Sequence, residues 1–151
     1  MGKKFIIACE SMKPEFDYCI GKMNTQPSIT YLKQDFHRHP ENIRDAIQKI
    51  LDRGENKSSK VVLGYGLCSN GVVGIIAPEG GMIIPKVHDC IAIYLGSKEK
   101  YNELFAACPG TYYLTPGWLA AGKDPLTTMR NEYAQRVGKD NAEKAMRQEL
   151  K

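Results

Sequence analysis

At 151 residues, with 42% hydrophobic and 25% charged residues, the chain has the size and composition of one globular domain that buries a core without a disulfide framework. No stretch approaches the ~20 consecutive apolar residues of a membrane span, and the apolar run Phe5–Cys9 is too short for a secretory signal. The 21 basic and 17 acidic residues are interspersed, so the net charge of +4 describes a solvated surface and excludes a nucleic-acid footprint.

The elements follow one another as strand and helix. Lys3–Cys9 is a continuous apolar run, the pattern of a strand covered on both faces. Glu10 to Met23 reads as a helix whose regular part starts near Pro14. Ser28–Lys33, rich in β-branched and aromatic residues after the breaker Gln26-Pro27, reads as a second strand. Pro40–Arg53 sets Ile43, Ile47, Ile50 and Leu51 on one helical stripe and stops at Gly54. Lys60–Gly66 is a further buried strand, followed by the loop Leu67–Gly71. Met82–Val87 is a fourth strand in which Pro85 demands an edge position or an early end. His88–Leu95 and Glu99–Ala107 read as helices, Thr111–Leu114 as extended, and Asp124–Lys151 as polar helix.

Strand alternating with helix calls for right-handed crossovers and hence for one α/β domain over residues 1–151, a Rossmann-like three-layer α/β/α arrangement around a mainly parallel sheet. In such sheets ligands gather beyond the carboxyl ends of the strands. Cys9, Cys68 and Cys90 all follow strands, and His88 stands two residues before the last of them. Thiolates and imidazole are the donors that zinc and iron–sulfur clusters use, so the expected ligand set is Cys9, Cys68, Cys90 and His88. No Cys-x-x-Cys clip supports it, and the competing reading is that cysteines pack as small hydrophobes. Cys19 and Cys108 are assigned to packing. The five cysteines, odd in number and widely spaced, argue for reduced thiols and a cytoplasmic location.

Two further segments bear on ligands. Gly66, Asn70 and Gly71 lie in a glycine-rich loop without the spacing of a phosphate loop, and positive φ or a close backbone approach explains its glycines equally well. Tyr112, Tyr113 and Trp118 lie in a loop rigidified by prolines and could wall a pocket or seal the end of the sheet. Asp89 is expected to cap the helix that starts beside it.

At these motifs the chain resembles the family known as domain of unknown function 1638. The likeness rests on Ile6-Ile7-Ala8-Cys9-Glu10, on Tyr65-Gly66-Leu67-Cys68-Ser69-Asn70-Gly71, on Val87-His88-Asp89-Cys90-Ile91 and on the run from Pro109 to Leu119, and it spans most of the chain. The resemblance carries over Cys9, Cys68 and Cys90 as motif positions and leaves out Cys19 and Cys108. It also implies a setting near the corrinoid-dependent methyl-transfer systems of anaerobes, with a corrinoid protein or a methyltransferase as partner. Members of the family run on past a polar helix like Ala142–Lys151 into another strand and helix, so a short member or an incomplete sheet is expected.

The leading expectation is a metal- or iron–sulfur-cluster-binding accessory protein of anaerobic corrinoid and methyl-group metabolism. One alternative is an enzyme of the zinc–thiolate methyltransferase type, in which a Cys₃ or Cys₂His zinc site holds a thiol substrate as its thiolate. Another is a metal-free small-molecule binding module built on the glycine loop and the aromatic wall. No nucleic-acid or membrane partner is expected, and the sequence leaves homo-oligomerisation open.

Overall fold

The computed structural model describes residues 4–24, 26–34, 36, 39–56, 58–120 and 124–149. Its strands are β1 (Lys4–Cys9), β2 (Ser28–Leu32), β3 (Lys60–Gly64) and β4 (Met82–Ile83). Its α-helices are α1 (Lys13–Gly21), α2 (Pro40–Leu51), α3 (Cys90–Tyr94), α4 (Lys98–Ala107), α5 (Pro116–Ala120), α6 (Pro125–Val137) and α7 (Lys139–Glu149). The chain divides into two compact units, Met1–Tyr113 and Leu114–Lys151. The first holds the sheet with α1 to α4, and the second holds α5 to α7. None of the described helices is long and apolar enough to cross a membrane.

The first unit is an α/β fold around a four-stranded sheet of order β2-β1-β3-β4, with every neighbouring pair parallel. From β1 the chain crosses to β2 on one side and then returns past β1 to β3. Right-handed crossovers in opposite directions put α1 and α2 on opposite faces. The order reverses between β1 and β3, so a crevice at the carboxyl edge lies between those two strands.

Strand periodicity divides the side chains between the faces. Phe5, Ile7 and Cys9 of β1 and Val61 and Leu63 of β3 share one face, where they form the core with the α2 stripe of Ile43, Ile47, Ile50 and Leu51. Each side chain so buried contributes about 1.5–3 kcal/mol. On the other face Ala8 and Gly64 are neighbours in register, and their small size admits Phe16 of α1. A Cβ on Gly64 would stand 2.5 Å from the Phe16 ring, so no larger residue fits while α1 holds its place. Tyr31 of β2 ties the same face to α1 by donating to Asp17 Oδ1 at 2.6 Å.

Several elements are shorter than their sequence pattern suggests. Glu10–Met12 is a 3₁₀ turn, and the α-helix begins only at Lys13 with Pro14 in its first turn, where a missing N–H costs nothing. β4 ends at Ile83 rather than Val87, because Pro85 cannot donate to a ladder, and it is the edge strand. The helix expected from His88 starts at Cys90, since Asp89 is its extended N-cap and accepts from the Ile91 N–H at 2.9 Å. The polar helix expected over Asp124–Lys151 is broken into α6 and α7 at Gly138, whose φ of +82° ends the first. Lys3 and the last two residues of that expected helix lie outside the described residues.

Candidate thiol site

Cys9 is the last residue of β1 and is wholly buried. Gly64 of β3 lies opposite Ala8, so continuing the register by one residue brings the wholly buried Tyr65 level with Cys9 on the α2 face. Cys9 Sγ is 3.0 Å from the hydroxyl of Ser11, in the 3₁₀ turn that follows the strand. Tyr94 of α3 donates to the Ser11 carbonyl at 2.7 Å and so ties α3 to that turn.

Beyond Tyr65 the chain turns sharply. Cys68, Ser69 and Asn70 all lie in the left-handed region, with φ of 44°, 56° and 65°. Asparagine visits that region readily, whereas an ordinary L-residue gives up roughly 1–2 kcal/mol there. Backbone hydrogen bonds hold the turn: Leu67 N–H donates to Val87 O and Cys68 N–H to His88 O, both at 2.9 Å, and Gly71 N–H returns to Cys68 O at 3.0 Å. Strain kept in place by this much surrounding structure is a common mark of a functional position.

The consequence of the turn is a pair of thiols. Cys68 and Cys90, both buried, stand with Sγ atoms 3.7 Å apart. The separation exceeds the ~2.05 Å of a disulfide, and no disulfide joins them. A hydrogen bond from Cys90 holds the Cys68 thiol below its ordinary range, opposed by burial, helped by the Gly66 N–H, and opposed further by the nearby Cys9 and Asp89. Cys9 therefore lies close enough to influence Cys68 electrostatically. The Tyr65 phenol is pushed far above its ordinary range, first by burial and then by Cys9, Cys90 and Cys68, and it is hydrogen-bonded with Cys9. Tyr65 thus stays protonated beside the thiols.

Gly66 makes the arrangement sterically feasible. A Cβ there would stand 2.7 Å from the Asp89 nitrogen and 2.8 Å from its Cα, so the β3 loop and the cap of α3 are in direct backbone contact. Gly71 serves a similar end, since its Cβ would meet Ile43 at 3.0 Å and the Pro40 carbonyl at 3.1 Å. Asn70 contributes its left-handed backbone to the turn.

The other expected site residues are dispersed. His88 is exposed and lines a groove with Lys86 and Lys98. Tyr112 is 76% exposed, and the Tyr113 ring centroid lies 6.5 Å from that of Tyr101. Trp118 belongs to α5 of the second unit. Cys19 and Cys108, expected to pack inside, are exposed, because each lies on a helix or helix end that turns it away from the core. Among the described residues, no group of three or more His, Cys, Asp and Glu side chains is arranged to hold a metal ion. Sequence reasoning missed Tyr65 and Ser11. The period of two along Val61, Leu63 and Tyr65 carries the signal for the first, whereas nothing local marks Ser11.

Ser69 offers a direct test of the strain. Ser69→Gly removes a Cβ from the left-handed region and should stabilise the protein by about 0.5–1 kcal/mol, after allowing for the extra freedom of glycine in the unfolded chain. Urea unfolding measures the change; a loss of stability would mean that the Ser69 side chain supports the turn.

No curated protein and no solved structure matches the chain. The profile of one family, described as "Protein of unknown function (DUF1638)", matches residues 31–151. The match takes in Cys68, Cys90 and the aromatic loop but begins beyond Cys9. Because it covers most of the sequence, the chain belongs to the DUF1638 family.

Proposed function

We propose that Cys68 and Cys90 are the paired thiolate ligands of a zinc ion or an iron–sulfur cluster, with Cys9 as a third donor. The Sγ–Sγ separation of 3.7 Å carries this reading. Two thiolates bound tetrahedrally to one zinc through ~2.3 Å bonds stand about 3.8 Å apart, so the pair already has the span of a shared ion. The donor chemistry agrees: soft sulfur, one thiol already held below its ordinary range, and a protonated tyrosine beside them. Bound there, zinc would lower the pKa of a further thiol or water placed on it.

As they stand, the described side chains form a pair and not a complete ligand cage. Cys9 joins by a movement of its side chain away from Ser11, and a fourth position is left for a partner or a substrate. This incompleteness suits an accessory protein that receives or delivers a soft metal or cluster. In the setting that the family resemblance implies, the recipient is a corrinoid protein or a methyltransferase. The same open position also favours the enzymatic alternative, in which zinc holds a thiol substrate as thiolate for methylation by a corrinoid partner.

Elemental analysis of protein purified without oxygen, together with zinc titration against a chromophoric chelator, tests the proposal. The expected result is about one zinc per chain, or iron with matching acid-labile sulfide, with two or three sulfur ligands by X-ray absorption. Protein that folds, carries no metal and competes for none would end it. A closed shell of four protein ligands would count against the enzymatic alternative.

A further inference from the structure

A groove of about 560 Å³ opens beside the thiol site, a size in the range of small-molecule sites. Its cationic groups are Lys86 and Lys98, with the His88 ring beside them, its apolar surface includes Leu67, Ile84 and Pro85, and among the described residues no acidic side chain lines it. Leu67 and Ile84 are large apolar side chains that remain 39% and 38% exposed, an arrangement that leaves hydrophobic surface framed by positive charge. The neighbouring Glu99 does not cancel that charge from within: its carboxylate is turned onto the Ser97 hydroxyl at 2.9 Å and onto its own backbone at the start of α4. The amino terminus of α4 is thereby occupied by Ser97 and Glu99, so the counter-charges open to a ligand are those of the side chains.

We infer that this groove binds a small organic anion, a carboxylate or phosphate carried on an apolar body. The apolar wall takes the body, and Lys86 and Lys98, which approach from two different segments, take the anionic head with His88 as a further donor. The inference does not depend on metal binding. It does bear on the thiols, because Leu67, Val87 and His88, which line the groove, belong to the hydrogen-bonded pair of segments that carries Cys68.

The test uses the full chain, isotope-labelled and followed by amide chemical shifts, with phenyl phosphate and phenylacetate as probes and inorganic phosphate and phenol as controls. Saturable shifts are expected at Leu67, Lys86, Val87, His88 and Lys98 with at least one of the two organic anions. Burial of one ring on the apolar wall should make phenyl phosphate bind about tenfold more tightly than inorganic phosphate. Phenol, which lacks the anion, should give no saturable shift there. The Lys86→Ala/Lys98→Ala double variant should weaken anion binding about tenfold or more, and the Lys86→Arg/Lys98→Arg variant should retain it. Lys86 is exposed and Lys98 partly so, and amide spectra that otherwise match the parent establish that the fold of each variant is intact. The inference is overturned if neither organic anion saturates, if phenol binds as well as they do, or if the double alanine variant binds undiminished.

Discussion

Cys90→Ala is expected to weaken zinc binding about a hundredfold and to raise the pH at which Cys68 becomes reactive. The first effect follows from sharing the roughly 10–16 kcal/mol of a four-ligand zinc site among its ligands, so that the loss of one costs about 3 kcal/mol. The second has an independent origin, because the Cys90 hydrogen bond is the largest influence that holds the Cys68 thiol below its ordinary range. In the parent protein without metal, alkylation of Cys68 should therefore rise with pH at a lower midpoint than in the Cys90→Ala variant. Removing the donor leaves only the Gly66 N–H on the side of the thiolate, against the larger effect of burial and the influence of Cys9 and Asp89, so the midpoint moves upward. Alanine is preferred to serine for this purpose, since a serine hydroxyl would replace the lost donor. Rates of iodoacetamide labelling, read residue by residue by mass spectrometry, give both midpoints. An unchanged Cys68 profile in Cys90→Ala would show that the two sulfurs do not interact in solution.

The linked stability has a defined sign. A thiol whose folded-state pKa is depressed adds stability above its unfolded pKa, and that contribution is lost as pH falls through the folded value. In metal-free protein the parent should thus gain stability relative to Cys90→Ala as pH is raised through the thiol range.

Gly66→Ala should destabilise the first unit by about 3 kcal/mol, which for a unit of this size lowers Tm by roughly 10–20 °C. The added Cβ would meet the nitrogen, Cα and carbonyl carbon of Asp89 at 2.7–2.8 Å, and these are backbone atoms that no side-chain rotation can move aside. Relief requires the β3 loop and α3 to part, which breaks the Cys68–His88 and Leu67–Val87 hydrogen bonds and separates the thiols. Calorimetry measures the stability, and the rate of diamide-induced Cys68–Cys90 disulfide formation reports the separation. Gly21→Ala is the control, because nothing lies within 4 Å of the added atom at the end of α1. It should be neutral or slightly stabilising. If Gly66→Ala behaved like Gly21→Ala, the close approach to Asp89 would not be a constraint on the thiol pair.

Much of the fold was legible in the chain itself, because it depends on local periodicity. The continuous apolar runs of β1 and β3 mark strands covered on both faces, and the Ile43, Ile47, Ile50 and Leu51 stripe marks α2, whose buried face is the one predicted. Pro85 and Asp89 announced an early strand end and a helix cap from their own chemistry. Strand alternating with helix then implied parallel pairing, and the sheet is parallel throughout. The strand order was not legible, since it depends on which side of β1 each crossover takes.

For the candidate site, the sequence determined which groups are available: three thiols after strands, soft donors suited to zinc or a cluster, and glycines where no Cβ fits. Tertiary structure decided which of them meet. Cys68 and Cys90, 22 residues apart with β4 between them, come within 3.7 Å because three left-handed residues fold the β3 loop back toward α3 and Gly66 lets the two backbones touch. His88, two residues from Cys90, is directed instead to an exposed groove, because Asp89 between them is an extended cap and only Cys90 enters the helix. Tyr65 joins the thiols through the register of β3 against β1. Spacing along a chain specifies the period of a strand or a helix, but contacts between loops are fixed by strand order, by register and by where two backbones can pass.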